Sequence, residues 1–134
     1  MNDLIKLIKK AHIIWICGNG GSAATAEHFT ADLIKKGYPA VCLNSNTSII
    51  TMIANDYGYN EIFSRQLGIY GNKEDLLITI SCSGNSENII NALLIAGIIK
   101  MDVYQFERFD KEFKDYGKLE DKHLQFIHET IKQL

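Results

Sequence analysis

The stretch His12-Ile13-Ile14-Trp15-Ile16-Cys17-Gly18-Asn19-Gly20-Gly21-Ser22 decides the fold of this chain. Its first six residues form a continuous apolar run, which is typical of a short strand buried on both faces. The glycines that follow predict a tight turn. Residues 22–36 are rich in good helix formers, so we expect a helix that Ser22 caps and Gly37 ends.

The rest of the chain repeats this alternation. Apolar runs predict strands at 38–43, 75–81 and 102–106, and helices are expected at 87–100 and 118–134. Residues 44–48 are a polar loop, and 48–67 predict short helices broken at Gly58. Buried strands that alternate with helices form a parallel sheet with right-handed crossovers. We therefore expect the α/β class: a three-layer, flavodoxin-like α/β/α sandwich with a mainly parallel sheet of four strands, a fifth being left open.

The amino-acid composition narrows the classes of function that this chain can have. The chain has 134 residues, of which 46% are hydrophobic, and no linker divides it, so we expect one domain spanning residues 1–134. Fourteen Lys and Arg against sixteen Asp and Glu argue against nucleic acid as the main ligand. The apolar runs are too short for a membrane span, and residues 2–10 lack a signal-peptide core. Three cysteines without a CxxC pair indicate a reducing compartment, which we expect to be the cytoplasm.

Two polar turns lie where strands end and helices begin. Residues 18–22 place three glycines before a helix whose first N–H groups lack intrahelical partners, which favours anion binding. An ordinary capped turn explains this pattern about as well. Residues 81–86, Ser-Cys-Ser-Gly-Asn-Ser, add three serine hydroxyls that suit a phosphate monoester. Both turns are expected at the carboxyl edge of the sheet, where parallel sheets bind ligands.

Two helices each present a histidine and a carboxylate. His28 and Asp32 are four residues apart and share one helix face. On the last helix we expect Glu120 at the centre of an apolar stripe, with His123 and His128 on its two flanks. A carboxylate in that position requires a partner or a metal. Such a set is sufficient for a divalent metal or for acid–base work.

Three motifs together resemble the sugar isomerase (SIS) family, and within it the phosphoheptose isomerases. They are Gly-Asn-Gly-Gly-Ser at 18–22, Ala-Asn-Asp-Tyr-Gly-Tyr at 54–59 with Phe-Ser-Arg at 63–65, and Ser-x-Ser-Gly-Asn-Ser at 81–86. The resemblance runs almost continuously from residue 12 to residue 100. It implies an enzyme that interconverts aldose and ketose sugar phosphates through an enediol. The expected reaction converts sedoheptulose 7-phosphate to D-glycero-D-manno-heptose 7-phosphate, or acts on a related sugar phosphate.

The resemblance also implies roles for individual residues. A divalent metal, usually zinc, is expected on His28, Asp32, Glu120 and His128. His128 is expected to act as the base, with Asp32 as its partner. Arg65 is expected to anchor structure. Contacts with the phosphosugar are expected from residues of both turns, from the middle motif and from the last helix: Asn19, Gly20, Gly21, Ser22, Asn55, Asp56, Ser81, Cys82, Ser83, Ser86 and Glu120. The resemblance further implies a homo-oligomer, dimer or tetramer, with sites near the subunit interfaces.

This sequence departs from the family pattern at several points. Asp32 stands where Glu is usual, which shortens its reach by one methylene, and Glu120 stands where most members have Gln. The chain is shorter than family members before the first strand and between Phe109 and Lys118, where a fifth strand would lie. Residues 104–109 therefore cover a sheet edge, swap or mediate assembly. Two other functions stay open: a catalytically silent phosphosugar-binding or regulatory module, and a structural subunit that needs a longer partner.

Overall fold

The computed structural model describes residues 1–106 and 115–134. The described helices are α1 (Asn2–Lys10), α2 (Gly21–Lys35), α3 (Thr47–Asp56), α4 (Ser64–Tyr70), α5 (Glu87–Ile99) and α6 (Tyr116–Gln133). The described strands are β1 (Ile14–Gly18), β2 (Ala40–Cys42), β3 (Leu76–Ile80) and β4 (Asp102–Gln105). A 3₁₀ turn, Tyr59–Glu61, joins α3 to α4.

The four described strands form one parallel sheet in the order β2-β1-β3-β4. Ile14 on the central strand β1 is paired with Ala40 on β2 and with Leu76 on β3, and Leu76 is paired in turn with Asp102 on β4. Strands β1 and β3 are buried at every position, as their uninterrupted apolar sequences predict. The parallel sheet and the α/β class are therefore confirmed.

Successive residues of β1 enter two separate cores, because side chains alternate across a strand. Ile14 and Ile16 pack with α1, α2 and α6, where Phe29 and Ile127 are fully buried. Trp15 and Cys17 pack on the other face, with residues of α3, α4 and α5. The helices thus cover both faces of the sheet, which confirms the three-layer sandwich.

Some expected boundaries and caps were wrong. Helix α2 begins at Gly21, so its N-cap is Gly20 and not Ser22, which is buried inside the first turn. Gly20 has a φ of 56°, a conformation that favours glycine. Strand β2 is three residues long instead of six. Asn46 caps α3, where its side chain accepts a hydrogen bond from the Ile49 N–H.

The apolar stripe of α6 was centred one residue too late in the sequence. The buried residues of α6 are Leu119, His123, Ile127 and Thr130. His123 is only 5% exposed and packs edge-on against Phe106, so it lies within the stripe and not on its flank. Glu120 is half-buried at the border of the stripe instead of at its centre. The helical-wheel estimate failed because the aromatic neighbours that cover His123 come from elsewhere in the chain.

In the part of the chain that the structure describes, no helix is both long and apolar enough to span a membrane. The short stretch between Phe109 and Lys118, where family members have a fifth strand, falls largely in residues 107–114, outside the described residues. The same is true of half of the segment 104–109, for which covering an edge, swapping and mediating assembly were left open.

Candidate phosphate and metal sites

The two polar turns lie side by side at the carboxyl edge of the sheet, where they line one cavity of about 410 Å³. A second cavity, of about 600 Å³, adjoins it across Asn19 and Ser86. Two parallel strands bring the turns together, because β1 and β3 are neighbours and end at the same level. The residues that line the first cavity are Asn19, Gly20, Gly21, Ser22, Ser81, Cys82, Ser83, Ser86, Tyr116 and Glu120.

Three asparagines and a tyrosine fix the first turn. The Asn44 side chain accepts a hydrogen bond from the Gly18 N–H and donates one to the Gly18 carbonyl. The Asn19 and Asn88 amides form a reciprocal pair at 2.8 and 2.9 Å. The Tyr59 hydroxyl donates to Asn19 Oδ1 at 3.1 Å. Because these bonds hold the turn in place, its backbone is organised before any ligand arrives.

The serine-rich loop is held by its own hydroxyl oxygens. Ser81 Oγ accepts a hydrogen bond from the Gly84 N–H, and Ser83 Oγ accepts one from the Asn85 N–H. A hydroxyl that accepts in this way still has its own proton to donate. The two serines can therefore donate hydrogen bonds to a phosphate without bringing a fixed charge.

Glu120 closes the cavity from the side of α6. Its carboxylate fills the space that a side chain on Gly21 would need. A residue larger than glycine at position 21 would displace the Glu120 carboxylate from its position in the cavity. Glycine at this position therefore lets the carboxylate lie directly against the start of α2.

Cys82 is a thiol within this cavity. Burial raises its pKa above the ordinary value, a hydrogen bond with Ser22 lowers it, and the charge of Glu120 raises it. Ser22 Oγ lies 3.7 Å from the sulfur. Cys82 thus stays protonated at neutral pH, and it acts as a small residue with a weak donor rather than as a nucleophile.

His28, Asp32 and His128 form a second cluster, two turns further along α2. Their potential ligand atoms all lie within 4.8 Å of one another. His28 Nε2 lies 3.1 Å from His128 Nε2 and 3.3 Å from Asp32 Oδ2. The cluster is partly open to solvent, since the side chains of His28 and Asp32 are 49% and 26% exposed.

Two of the three separations between these atoms are compatible with a zinc site. Zinc–ligand bonds of about 2.0–2.1 Å at tetrahedral angles place neighbouring ligand atoms about 3.3 Å apart. The separations of His28 Nε2 from His128 Nε2 and from Asp32 Oδ2 are 3.1 and 3.3 Å, and the third separation is within 4.8 Å. Two imidazoles and one carboxylate are also a donor set that catalytic zinc sites use, with the fourth position left for water or substrate.

The structure brings together most, but not all, of the expected site residues. Glu120 lies outside the group of three and contacts Gly21 instead. Asn55 and Asp56 are exposed, hydrogen-bond to each other, and line neither the 410 Å³ nor the 600 Å³ cavity. The Arg65 guanidinium lies 3.4 Å from the centre of the Tyr57 ring and contacts Glu61, in agreement with a structural role.

Sequence reasoning missed Asn44, Asn88, Tyr59 and Tyr116. The three residues Asn44, Asn88 and Tyr59 organise the first turn, and Tyr116 lines the cavity. Tyr59 stands in the motif at 54–59, but no role was predicted for it. Asparagines near strand ends and helix starts are typical of turns and caps, so nothing in the sequence distinguished Asn44 and Asn88.

Comparison with known proteins agrees with this geometry. Residues 2–106 match the family model described as SIS domain. The chain belongs to the SIS domain family. The match includes both turns, α2 with His28 and Asp32, and strands β1 to β4, but not α6 with Glu120 and His128.

Several SIS-domain relatives are phosphoheptose isomerases by name. The chain is 52% identical over 95 residues to that of Helicobacter pylori strain P12, covering 66% of this chain and 50% of the relative. It is 48% identical over 98 residues to that of Aliarcobacter butzleri, covering 69% and 52%. These alignments thus span about half the length of the curated relatives.

Solved structures of the same name have the same fold. Phosphoheptose isomerase GmhA from Neisseria gonorrhoeae superimposes with a TM-score of 0.86 at 32% identity, over 96% of this chain and 79% of that one. The Francisella tularensis phosphoheptose isomerase gives 0.86 at 25% identity, over 98% and 82%. Since these superpositions cover nearly the whole chain, they extend the likeness beyond the family match.

Proposed function

We propose that residues 1–134 form one phosphosugar-binding domain that works as a metal-assisted aldose–ketose isomerase. The proposed reaction interconverts sedoheptulose 7-phosphate and D-glycero-D-manno-heptose 7-phosphate, or a closely related pair. The observation that carries the proposal is the presence, along one pair of helices, of an anion cavity and a His-Asp-His cluster. The names of the relatives from Helicobacter pylori and Neisseria gonorrhoeae support it.

The separation between the two sites supports a seven-carbon substrate. Gly21 and His28 lie seven residues apart on α2, so they share a face and are separated by about 10 Å along the helix. Helix α6 runs beside α2 in the same direction, since Glu120 contacts Gly21 and His128 contacts His28. Cavity and cluster thus lie at two levels along the same pair of helices.

A sugar phosphate that contacts both sites must reach from one level to the other. An extended carbon chain advances about 1.3 Å for each bond of about 1.5 Å. From the phosphorus of a 7-phosphate to carbon 2 this gives about 9 Å, and from that of a 5-phosphate about 6.5 Å. The separation of the two sites therefore favours the longer sugar, with its phosphate at the serines and its carbonyl at the cluster.

The chain's own residues supply the proton transfers. A base removes the proton from the carbon next to the carbonyl, which gives an enediol, and an acid returns a proton to the neighbouring carbon. We assign the base to His128 and its partner to Asp32. His128 can accept a proton at Nε2 only while that atom does not hold a metal, because a neutral imidazole that binds a metal through Nε2 already carries its proton on Nδ1. Asp32 keeps a second carboxylate oxygen, Oδ1, that can accept a proton.

A divalent metal, with zinc fitting best, would be held by His28, Asp32 and His128. When bound, it would polarise the carbonyl and hydroxyl of the sugar.

Glu120 is proposed as a substrate contact only, since it lies outside this group of metal ligands. The other proposed contacts are residues that line the cavity and that were also predicted from the sequence to bind the phosphosugar: Asn19, Gly20, Gly21, Ser22, Ser81, Cys82, Ser83 and Ser86. Asn55 and Asp56 are not among the proposed contacts, since they line neither cavity. We further propose a cytoplasmic homo-oligomer.

The proposal is tested by incubating the zinc-loaded protein with sedoheptulose 7-phosphate and following the sugar by NMR. We expect the aldose signals to appear, and we expect His128→Ala to abolish turnover while phosphosugar binding stays measurable. Full activity in metal-free protein would refute the metal role.

One observation favours a second function, a phosphosugar-binding module without turnover. Asp32 is one methylene shorter than the glutamate that the resemblance implies, and Glu120 is absent from the cluster. This alternative predicts that a heptose phosphate raises the melting temperature of the protein, while no isomer appears by NMR.

A further inference from the structure

The cavity of about 600 Å³ is not used by the proposed position of the substrate along α2 and α6. It lies directly beside the phosphate cavity, and the two share Asn19 and Ser86. Its volume is within the range of small-molecule sites, about 300–1,000 Å³. A ligand whose phosphate lies at the serines therefore has room for a second group here. The residues that line this cavity are Asn19, Tyr59, Asn60, Ser86, Glu87 and Asn88.

Hydrogen bonds join the three walls of this cavity to one another. The walls are the first turn, the 3₁₀ turn and the start of α5. Asn19 and Asn88 join the first wall to the third at 2.8 and 2.9 Å, and the Tyr59 hydroxyl joins the second wall to the first at 3.1 Å. Asn91 on α5 donates to the Asn60 carbonyl at 3.1 Å, which joins the second wall to the third. The cavity is therefore preformed, which lowers the cost of binding a ligand.

The side chains of this cavity suit a neutral group that is rich in hydroxyls. Within the described part of the chain, none of the lining residues is basic and none is aliphatic. The Glu87 carboxylate repels an anion, so a second phosphate does not fit here, but it accepts hydrogen bonds from hydroxyls through both oxygens. The amides of Asn19 and Asn88 each use one N–H in their mutual pair and keep a second N–H to donate.

Tyr59 adds an apolar surface at the rim of this cavity. Its side chain is exposed, and the hydrogen bond from its hydroxyl to Asn19 fixes the ring at one end. The face of an aromatic ring is apolar, so the C–H groups of a sugar ring can pack against it. Ser86 caps α5 without a hydrogen bond from its side chain, which leaves its hydroxyl available at the boundary of the two cavities. Donors, acceptors and an apolar face together match the two kinds of surface on a closed sugar ring.

We propose that this cavity binds the closed ring of a sugar phosphate whose phosphate lies at the serines of the neighbouring cavity. A closed ring is compact and lies directly beside its phosphate, as the shared residues Asn19 and Ser86 require. The cavity is on the α5 side of the sheet, whereas the His-Asp-His cluster is on the α2 side. A ring bound here is therefore held away from the cluster and is not isomerised. The inference rests on the proposed function only for the position of the phosphate.

The test is isothermal titration calorimetry with three phosphate-containing probes. They are methyl glucopyranoside 6-phosphate, whose ring cannot open, glucitol 6-phosphate, which has no ring, and inorganic phosphate. We expect the locked ring to bind the wild type about tenfold or more tightly than inorganic phosphate, because it adds hydrogen bonds in the second cavity.

Two variants change residues that line only the second cavity. Asn60→Ala should weaken binding of the locked ring about three- to tenfold, and Glu87→Ala about tenfold or more, because hydrogen bonds to a charged group are the stronger ones. Neither variant should weaken binding of inorganic phosphate or of glucitol 6-phosphate. The matched controls are Asn72→Ala and Glu74→Ala, since these exposed residues precede β3 at the opposite edge of the sheet, and they should change no affinity. Circular dichroism checks that all variants fold.

The possible results separate this inference from the proposed function. A locked ring that binds no more tightly than inorganic phosphate, or that Asn60→Ala and Glu87→Ala do not weaken, overturns the proposed ring site. An equal loss for glucitol 6-phosphate in these variants overturns the preference for a closed ring. Binding of the locked ring as expected, without isomerisation of sedoheptulose 7-phosphate, overturns the proposed function alone.

Discussion

Zinc should stabilise this protein by joining two helices that are distant in sequence. His28 and Asp32 belong to α2, and His128 belongs to α6, one hundred residues after His28. An ion bound by all three therefore binds the folded chain but not the unfolded one. Removing His128 leaves two ligands on a single helix, which bind weakly and no longer connect α2 to α6.

The size of the effect follows from mass action. Free zinc at 100 times its dissociation constant adds about 2.7 kcal/mol to the free energy of unfolding. A chain of 134 residues unfolds with an entropy of about 0.28 kcal/mol/K, taken at about 2.1 cal/mol/K per residue. The melting temperature should therefore rise by about 10 °C.

Differential scanning calorimetry with and without zinc measures this shift. His128→Ala should retain the fold, because the side chain is exposed, but should lose most of the shift. The matched control is His12→Ala, since His12 is also an exposed histidine and lies outside the cluster. An equal zinc-induced shift in wild type and His128→Ala would refute the reasoning.

Three further predictions concern the fold and the phosphate cavity. Asp75→Asn should destabilise the protein by about 2–4 kcal/mol in urea unfolding, because this buried carboxylate accepts hydrogen bonds from Ile13 N, Trp15 Nε1 and Asn72 N. Asp102→Asn, which disturbs only a surface ion pair, should cost less than about 1 kcal/mol, and equal losses would contradict this interpretation. Glu120→Gln should bind inorganic phosphate several-fold more tightly by calorimetry, because it removes a negative charge from the cavity, whereas Asp121→Asn should not. Alkylation of the partly buried Cys82 by iodoacetamide should rise with pH only above the ordinary thiol range, because desolvation raises its pKa, and rapid alkylation at neutral pH would contradict a raised pKa.

The sheet and the first turn could be predicted from sequence because their signals are local. Strands β1 and β3 are short apolar runs buried on both faces, and each is followed at once by small polar residues. The strands and the glycine turn can be recognised from neighbouring residues in the sequence alone. The three-layer arrangement then followed from the alternation of strands and helices.

Which residues form the site depends on contacts between residues that are distant in the sequence, and hydrophobic periodicity does not reveal such contacts. His28 and His128 were paired through the resemblance, and no local pattern brings together residues one hundred positions apart. The stripe of α6 was misplaced because Phe106, from the end of the sheet, covers His123 and makes a polar residue part of the core. Asn55 and Asp56 were expected at the substrate because of their motif, yet their distance from the cavity is set by the path of α3.

The central claim is tested most directly by zinc-loaded protein in deuterated water with sedoheptulose 7-phosphate, followed by proton NMR. The enediol reaction predicts aldose formation with deuterium entering at the carbon next to the carbonyl, and loss of both signals in His128→Ala. A sugar that binds, shown by a raised melting temperature, but neither isomerises nor exchanges its proton would contradict the claim. That result would leave a binding module in place of an isomerase.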